Sequence, residues 1–382
     1  MTEPDYIEFL SAAGAALRDA PAPLPGDPEK TAKQWYTFAC NHRVIGAVWP
    51  VIRQWKDSLP AYVLTRWEES LTVQTVLSVR QEAASRQLAE ILQQAKIPFV
   101  GLKGYVLREL YPVLRSAADV DFLIPSGERL RVRKLMRQKG YPLLSKGTNH
   151  DEYRVAGTHV ELHHALMDEE PALRRYYRDI FERLAPVSGT EMRMNPEDFL
   201  IFQTVHAAKH FSGSGMGVRM LLDQYVYRHF GPPVDDTVLR QELEKLGLWR
   251  FYSVVDALSE SVLSPDGKAA SLSPEQHTLL AYICSGALFG KAGQNAAMAD
   301  GREGKGHYLL RRAFPSFAFM KGKYAVLEKA PWLLPVLWCW RLLLVLLRRD
   351  RHPVQHIRSV FTVTEEAARQ AREIRRIAGL SE

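Results

Sequence analysis

Two aspartates separated by one apolar residue stand in the run Asp119-Val-Asp-Phe-Leu-Ile124, and a third carboxylate, Glu161, stands in Thr158-His-Val-Glu-Leu-His163. On a β-strand, residues two apart share a face, so Asp119 and Asp121 offer two oxygen ligands side by side to a hard cation. If the two runs are neighbouring strands, three carboxylates converge, which only a cation or a raised pKa tolerates. Alone, the aspartate pair would equally fit a solvent-facing strand edge. Its setting, between a glycine turn and Phe122-Leu-Ile124, gives the strand a buried side instead. The chemistry that suits such a cluster is phosphoryl transfer from an NTP, assisted by Mg²⁺ or Mn²⁺. Asp119 and Asp121 are expected to share a pair of ions and Glu161 to hold the one nearest the attacking hydroxyl. Catalysis then consists of positioning and charge neutralisation.

Just upstream, Phe99-Val-Gly-Leu-Lys103-Gly104 reads as a strand that turns through glycine into a helix, a phosphate-facing geometry. Gly104 would offer backbone N–H groups, and Lys103 and Arg115 would supply cations. The bland alternatives are an ordinary strand-to-helix turn, a surface lysine, and an Arg115 paired with the aspartates. His159, Glu161 and His163 share a strand face, but H-x-E-x-H is not the helical zinc spacing and no cysteine lies near. The aspartates also draw the site toward oxygen-loving ions, so zinc is disfavoured. His163 is a candidate substrate contact, with a satisfied structural histidine as the rival. His206, Lys209 and His210 lie three and four apart on one helix, with Arg219 and Asp223 on the next. They are candidate contacts for a second substrate; the rival is a helix hairpin tied by Asp223 to His206 or His210. No nucleophile elbow, Walker A loop or dinucleotide fingerprint occurs.

The elements that position these residues follow from pattern and punctuation. Trp35, Phe38, Ile45 and Val48 mark buried faces of N-terminal helices. Val73, Leu77, Ala84, Leu88, Ile91 and Leu92 recur at three-to-four spacing from about Pro60 to Lys96, which predicts one long helix whose apolar stripe is core. Short strands are expected at 99–102, 119–124, 141–144, 152–155 and 159–163, with a helix from Tyr105 and another capped by Ser126. Beyond residue 166 the pattern turns helical, including a helix opened by Asn195-Pro196. The fold class is therefore α+β: a small mixed sheet at 96–165, flanked by helical regions at 1–95, 166–310 and 311–382.

Bulk properties bound the rest. The chain of 382 residues carries a formal charge of +7, with 46% hydrophobic residues. This describes an ordinary globular protein with affinity for polyanions. Arg341, Arg348, Arg349, Arg351, Arg358, Arg369, Arg372, Arg375 and Arg376 concentrate the excess in the tail. The segment Trp332 to Leu347 is apolar but interrupted by Pro335 and Arg341. It falls short of a membrane span and fits either a core helix or a peripheral contact through 332–351. Cys40, Cys284 and Cys339 are far apart and read as reduced thiols. No signal peptide is apparent, so a cytoplasmic protein is expected, with the inner membrane face as a place of peripheral attachment.

Taken together, Leu102-Lys-Gly104, Leu110-Tyr-Pro112, Arg115, Asp119-Val-Asp121, Val160-Glu-Leu-His163 and Val205-His-Ala-Ala-Lys-His210 resemble the uncharacterised nucleotidyltransferase family of the DNA polymerase beta-like superfamily. The resemblance implies a small mixed sheet with helices behind it and Mg²⁺ held by Asp119, Asp121 and Glu161. One departure stands out: Lys103-Gly104 replaces the superfamily's glycine–serine pair. The expected activity is transfer of an NMP to a hydroxyl of an acceptor, a protein, sugar or small molecule rather than RNA. The alternative is a non-catalytic scaffold of the same fold, bound to a membrane or a partner through its basic C-terminus.

Overall fold

In the computed structural model, residues 1–117, 119–166, 170–213, 215–265, 271–286, 310, 313–347 and 364–380 are described. Four N-terminal helices, α1 (Glu3–Leu17), α2 (Pro28–His42), α3 (Ile45–Gln54) and α4 (Ala61–Gln94), precede the first strand. Asp27 caps α2 through its side chain, and Pro28 follows where a missing N–H costs nothing. Trp35, Phe38, Ile45 and Val48 are buried as the pattern predicts.

The sheet has seven strands in the order β3-β4-β5-β2-β1-β7-β6. These are β1 (Phe99–Gly101), β2 (Val120–Leu123), β3 (Ser145–Lys146), β4 (His150–Val155), β5 (Thr158–His163), β6 (Ala185–Ser188) and β7 (Glu191–Arg193). β2 is central: it pairs antiparallel with β1 and parallel with β5. β7 pairs parallel with β1, which makes the sheet mixed and the fold α+β.

Alternation divides the sheet into two faces. Phe99, Val120, Phe122, Val160 and Leu162 pack on Ala84, Leu88 and Leu92 of α4 and on Val132 and Met136 of α6 (Arg129–Gln138). Val100, Leu102 and Leu123 face the other way, onto Leu107 of α5 (Gly104–Leu110) and Phe199 to Val205 of α8 (Pro196–Gly213). The second half of α8 leaves that cluster. Ala207, Ala208 and Phe211 join a third core with α1–α3, α9 (Arg219–Phe230), α11 (Trp249–Leu263) and α12 (Pro274–Ser285). α8 thus ties the sheet to the helical body, and the regions before 95 and after 196 complete one another's apolar faces.

Several expectations need correction. The stretch 166–310 is not purely helical, because β6 and β7 join the sheet there; their short, largely exposed sequences carry no apolar alternation. Val73 and Leu77 are 59% and 50% exposed, not core. α4 is 34 residues long, and its two ends enter different cores while its middle spans the gap. Residues 141–144 are irregular, and β3 begins only at Ser145. Ser126 opens a 3-10 turn rather than capping α6. By contrast, Asn195 does cap α8, its Oδ1 accepting from the N–H of Asp198 at 2.6 Å.

At the C-terminal end, Leu334–Leu347 is a helix with Val336 and Trp340 at 57% and 50% exposure. Among the described residues, no helix is long and apolar enough to cross a membrane. Arg348, Arg349, Arg351 and Arg358 lie outside the described residues.

Candidate active site

The site begins where β1 hands over to α5. The N–H of Leu102 donates to the carbonyl of Asp121 at 2.9 Å, so pairing with the aspartate strand persists to the last residue before the turn. Lys103 then takes φ +25° and ψ −91°, a region that L-residues rarely occupy. Gly101 is required by close approach, since a Cβ there would sit 2.1 Å from the Tyr105 ring. This tight corner brings Lys103 into the wall of a cavity of about 340 Å³, together with Asp119, Asp121 and Glu161.

Register supplies the rest of the carboxylate cluster. Asp121 lies across from Glu161 in the parallel β2–β5 ladder, and Asp119 precedes β2 on the same face. His163 stands between them, its Nε2 3.4 Å from Asp121 Oδ1 and 3.3 Å from Glu161 Oε2. Among the described residues, two triads bring all their ligand atoms within 4.8 Å: Asp119, His159 and Glu161, and His150, Glu161 and His163. Asp121 belongs to neither and joins the cluster through His163.

Crowding three acids on one wall divides their proton affinities. Burial, reinforced by Asp121 and Glu161, pushes Asp119 up to about 6. Burial also opposes ionisation of Asp121, but the His163 hydrogen bond and the Lys103 charge hold it below the usual carboxylate range. Glu161 is lowered by its hydrogen bond with His163, against burial and the charge of Asp121. His163 is raised in turn, because Asp121 and Glu161 outweigh its desolvation. A wall of oxygen donors on which one acid is driven toward protonation fits a divalent cation, which would relieve that repulsion.

The opposite wall is α8. The Lys103 ammonium donates to His206 Nε2, which lies 2.9 Å from His210 Nε2. Burial, then the Lys103 charge, drives His206 well below its usual range and His210 to about 4, so both are neutral at pH 7. Burial likewise lowers Lys103 to about 8, against the pull of Asp121, Asp119 and Glu161. Lys209 also lines the cavity.

Arg115 lines it too, but its partner is neither aspartate of the pair. Its Nε and Nη2 donate to the two oxygens of Asp223 at 2.8 Å each, and Tyr111 Oη donates to Asp223 Oδ1 at 2.6 Å. Asp223 is therefore committed to Arg115 rather than to His206 or His210, because a planar guanidinium matches both carboxylate oxygens at once. Arg219 donates to the carbonyl of Ser116 at 2.9 Å from the same wall.

His150, Asn149 and Gln203 also line the cavity, and for Asn149 and Gln203 no sequence signal singles them out. His150 enters only through its pairing with His163 across the β4–β5 hairpin. An H-x-E spacing in His150-Asp-Glu152, antiparallel to His159-x-Glu161-x-His163, is the trace that marks it.

No curated protein matches the chain in sequence. The solution structure of the antibiotic-resistance factor ANT(2'')-Ia is similar at 16% identity, covering 52% of this chain and 91% of that one with a TM-score of 0.23. The family described as "Uncharacterised nucleotidyltransferase" matches residues 28–263. That match spans well over half of the 382 residues and contains every side chain placed around the cavity above, so the chain belongs to the uncharacterised nucleotidyltransferase family.

Proposed function

We propose that the protein transfers a nucleoside monophosphate from an NTP to a hydroxyl of an acceptor and releases pyrophosphate, with Asp119, Asp121 and Glu161 as ligands for Mg²⁺ or Mn²⁺. The observation that carries this reading is the pairing of Asp121 with Glu161 beside Asp119 in one cavity, in a chain of a nucleotidyltransferase family. When bound, the cation neutralises triphosphate charge and lowers the pKa of the attacking hydroxyl. Asp119 and Asp121 would hold the cation against the donor phosphates, and Glu161 would hold it toward the acceptor hydroxyl. Lys103 and Gly104 meet the phosphates at the turn. Arg115 and Arg219 add positive potential to the same wall, Arg115 while holding Asp223 in place. His163 lines the same cavity beside Asp121 and Glu161, and His206, Lys209 and His210 contact the second substrate.

A cavity of about 340 Å³ supports a sugar, another small molecule or a protein side chain as acceptor, rather than RNA. In this reading residues 96–165 are the nucleotidyltransferase core, completed by 185–193 and flanked by helical regions before and after. The protein works in the cytoplasm, with peripheral membrane contact through 332–351 supported by the exposed Trp332, Val336 and Trp340. Incubating purified protein with labelled NTPs, Mg²⁺ or Mn²⁺ and a cell extract tests the activity. Label should pass to an acceptor with release of pyrophosphate, and Asp121→Asn should abolish it. Failure of the wild-type chain to bind either NTP or metal would leave the non-catalytic scaffold as the better account.

A further inference from the structure

The β4–β5 hairpin sets a second group of cation donors beside the aspartates. Antiparallel pairing puts His150 opposite His163 and Glu152 opposite Glu161, so their side chains leave one face of the sheet. Glu161 Oε2 lies 3.3 Å from His163 Nε2 and 3.8 Å from His150 Nε2. Asp121 Oδ1 adds a fourth donor 3.4 Å from His163 Nε2. The His163 contacts are hydrogen bonds, but at 3.3 and 3.4 Å they are stretched beyond the roughly 2.7–2.9 Å of good charge-assisted ones. The two His163 spacings match the edges of a coordination shell, since tetrahedral ligands about 2.0–2.1 Å from a cation stand about 3.3–3.4 Å apart, and His150 at 3.8 Å would move in by a few tenths of an ångström to complete it. His150, Glu161 and His163 are 28%, 21% and 20% exposed, shielded enough to be ordered and open enough for an ion to enter.

We propose that His150, Glu161 and His163, with Asp121 at the margin, form a mixed imidazole–carboxylate site that takes a first-row dication such as Co²⁺ or Zn²⁺ ahead of Mg²⁺. Imidazole nitrogen binds these ions well and Mg²⁺ poorly, since Mg²⁺ keeps an oxygen shell. His159 and His163 are four residues apart, roughly 13 Å along an extended strand, so they cannot close on one ion by themselves. His150 on the neighbouring strand supplies the second nitrogen at close range. The site shares Glu161 and the marginal Asp121 with the proposed transfer chemistry but stands on metal binding alone, without nucleotide. The competing arrangement is a protonated His163 bridging Asp121 and Glu161 with no ion.

The test uses the full chain, stripped with chelator and titrated with Co²⁺ while its visible d–d absorption is followed. A saturable band should appear, persist in a large excess of Mg²⁺ and bleach on addition of Zn²⁺. His150→Asn and His163→Asn should each weaken Co²⁺ binding by about 10–100-fold, whereas His159→Asn should leave the band in place. In the wild-type chain, Co²⁺ should also shift the ring-proton resonances of His150 and His163, a readout that needs no variant. Absence of the band, its displacement by Mg²⁺, an unchanged Co²⁺ affinity in His150→Asn, or unshifted His150 resonances would each overturn the proposal. A cobalt site in a chain that transfers no label would leave this inference standing while the transfer reading falls.

Discussion

Arg115 and Asp223 form a two-point ion pair at 2.8 Å, with side chains only 5% and 11% exposed. The pair fastens the loop before β2 to α9, so the aspartate strand and the helical body share a buried electrostatic joint. Removing one partner leaves a buried charge uncompensated, which typically costs about 3–5 kcal/mol. Arg115→Ala and Asp223→Ala should therefore each lower stability in urea unfolding by that order. The double variant Arg115→Met/Asp223→Leu should cost clearly less than their sum.

Asp119 should make the metal-free protein less stable as pH rises. Its carboxyl is pushed up to about 6 from an unfolded value of 3.8. Between these values the folded chain binds more proton than the unfolded one, so stability is greatest below the unfolded pKa and falls as pH climbs to about 6. The difference in Tm between wild type and Asp119→Asn, measured in chelator, should move in favour of the variant from pH 4 to pH 6.5. Saturating Mg²⁺ or Mn²⁺ should shrink that difference.

Lys103 is lowered to about 8 by burial. Its ammonium, and with it the attraction for a triphosphate, should fade as pH passes through about 8. NTP affinity measured by calorimetry should drop across that range in the wild-type chain and stay flat in Lys103→Arg. A wild-type profile without the drop would remove Lys103 from the phosphate contacts.

Gly101 tests the corner that aims Lys103. A Cβ there would meet the Tyr105 ring at 2.1 Å and Cγ at 2.4 Å. Overpacking of this kind costs about 1–3 kcal/mol. Gly101→Ala should depress the melting temperature accordingly, and Tyr105→Leu should restore part of it by vacating the space.

The exposed Trp332 and Trp340, at 75% and 50%, give the membrane reading its own check. Intact protein should float with anionic liposomes at low salt, and Trp332→Ser/Trp340→Ser should reduce the bound fraction severalfold. Flotation that is absent in the wild type assigns this helix to packing within the chain instead.

Local chemistry made the candidate site residues legible in the sequence itself. A D-x-D in an apolar run, a carboxylate in a later strand and a glycine corner between strand and helix are short-range signals, fixed by the period of a strand and the stereochemistry of a turn. Asp119, Asp121, Glu161, Lys103 and the helix carrying His206 and His210 were found this way. What only the tertiary structure decided was partnership. Arg115 could have faced the aspartates or turned away; the guanidinium fork found two oxygens on Asp223, 108 residues along the chain. His150 carried only the short H-x-E spacing with Glu152, and it became part of the cluster when antiparallel pairing set it beside His163. Val73 and Leu77 repeat with core spacing yet face solvent, because α4 crosses between two cores. β6 and β7 carry no alternation and are strands only because β1 offers an edge to pair with. Spacing along the chain specifies which groups share a face; which faces meet depends on burial summed over distant segments, and no window of sequence contains that sum.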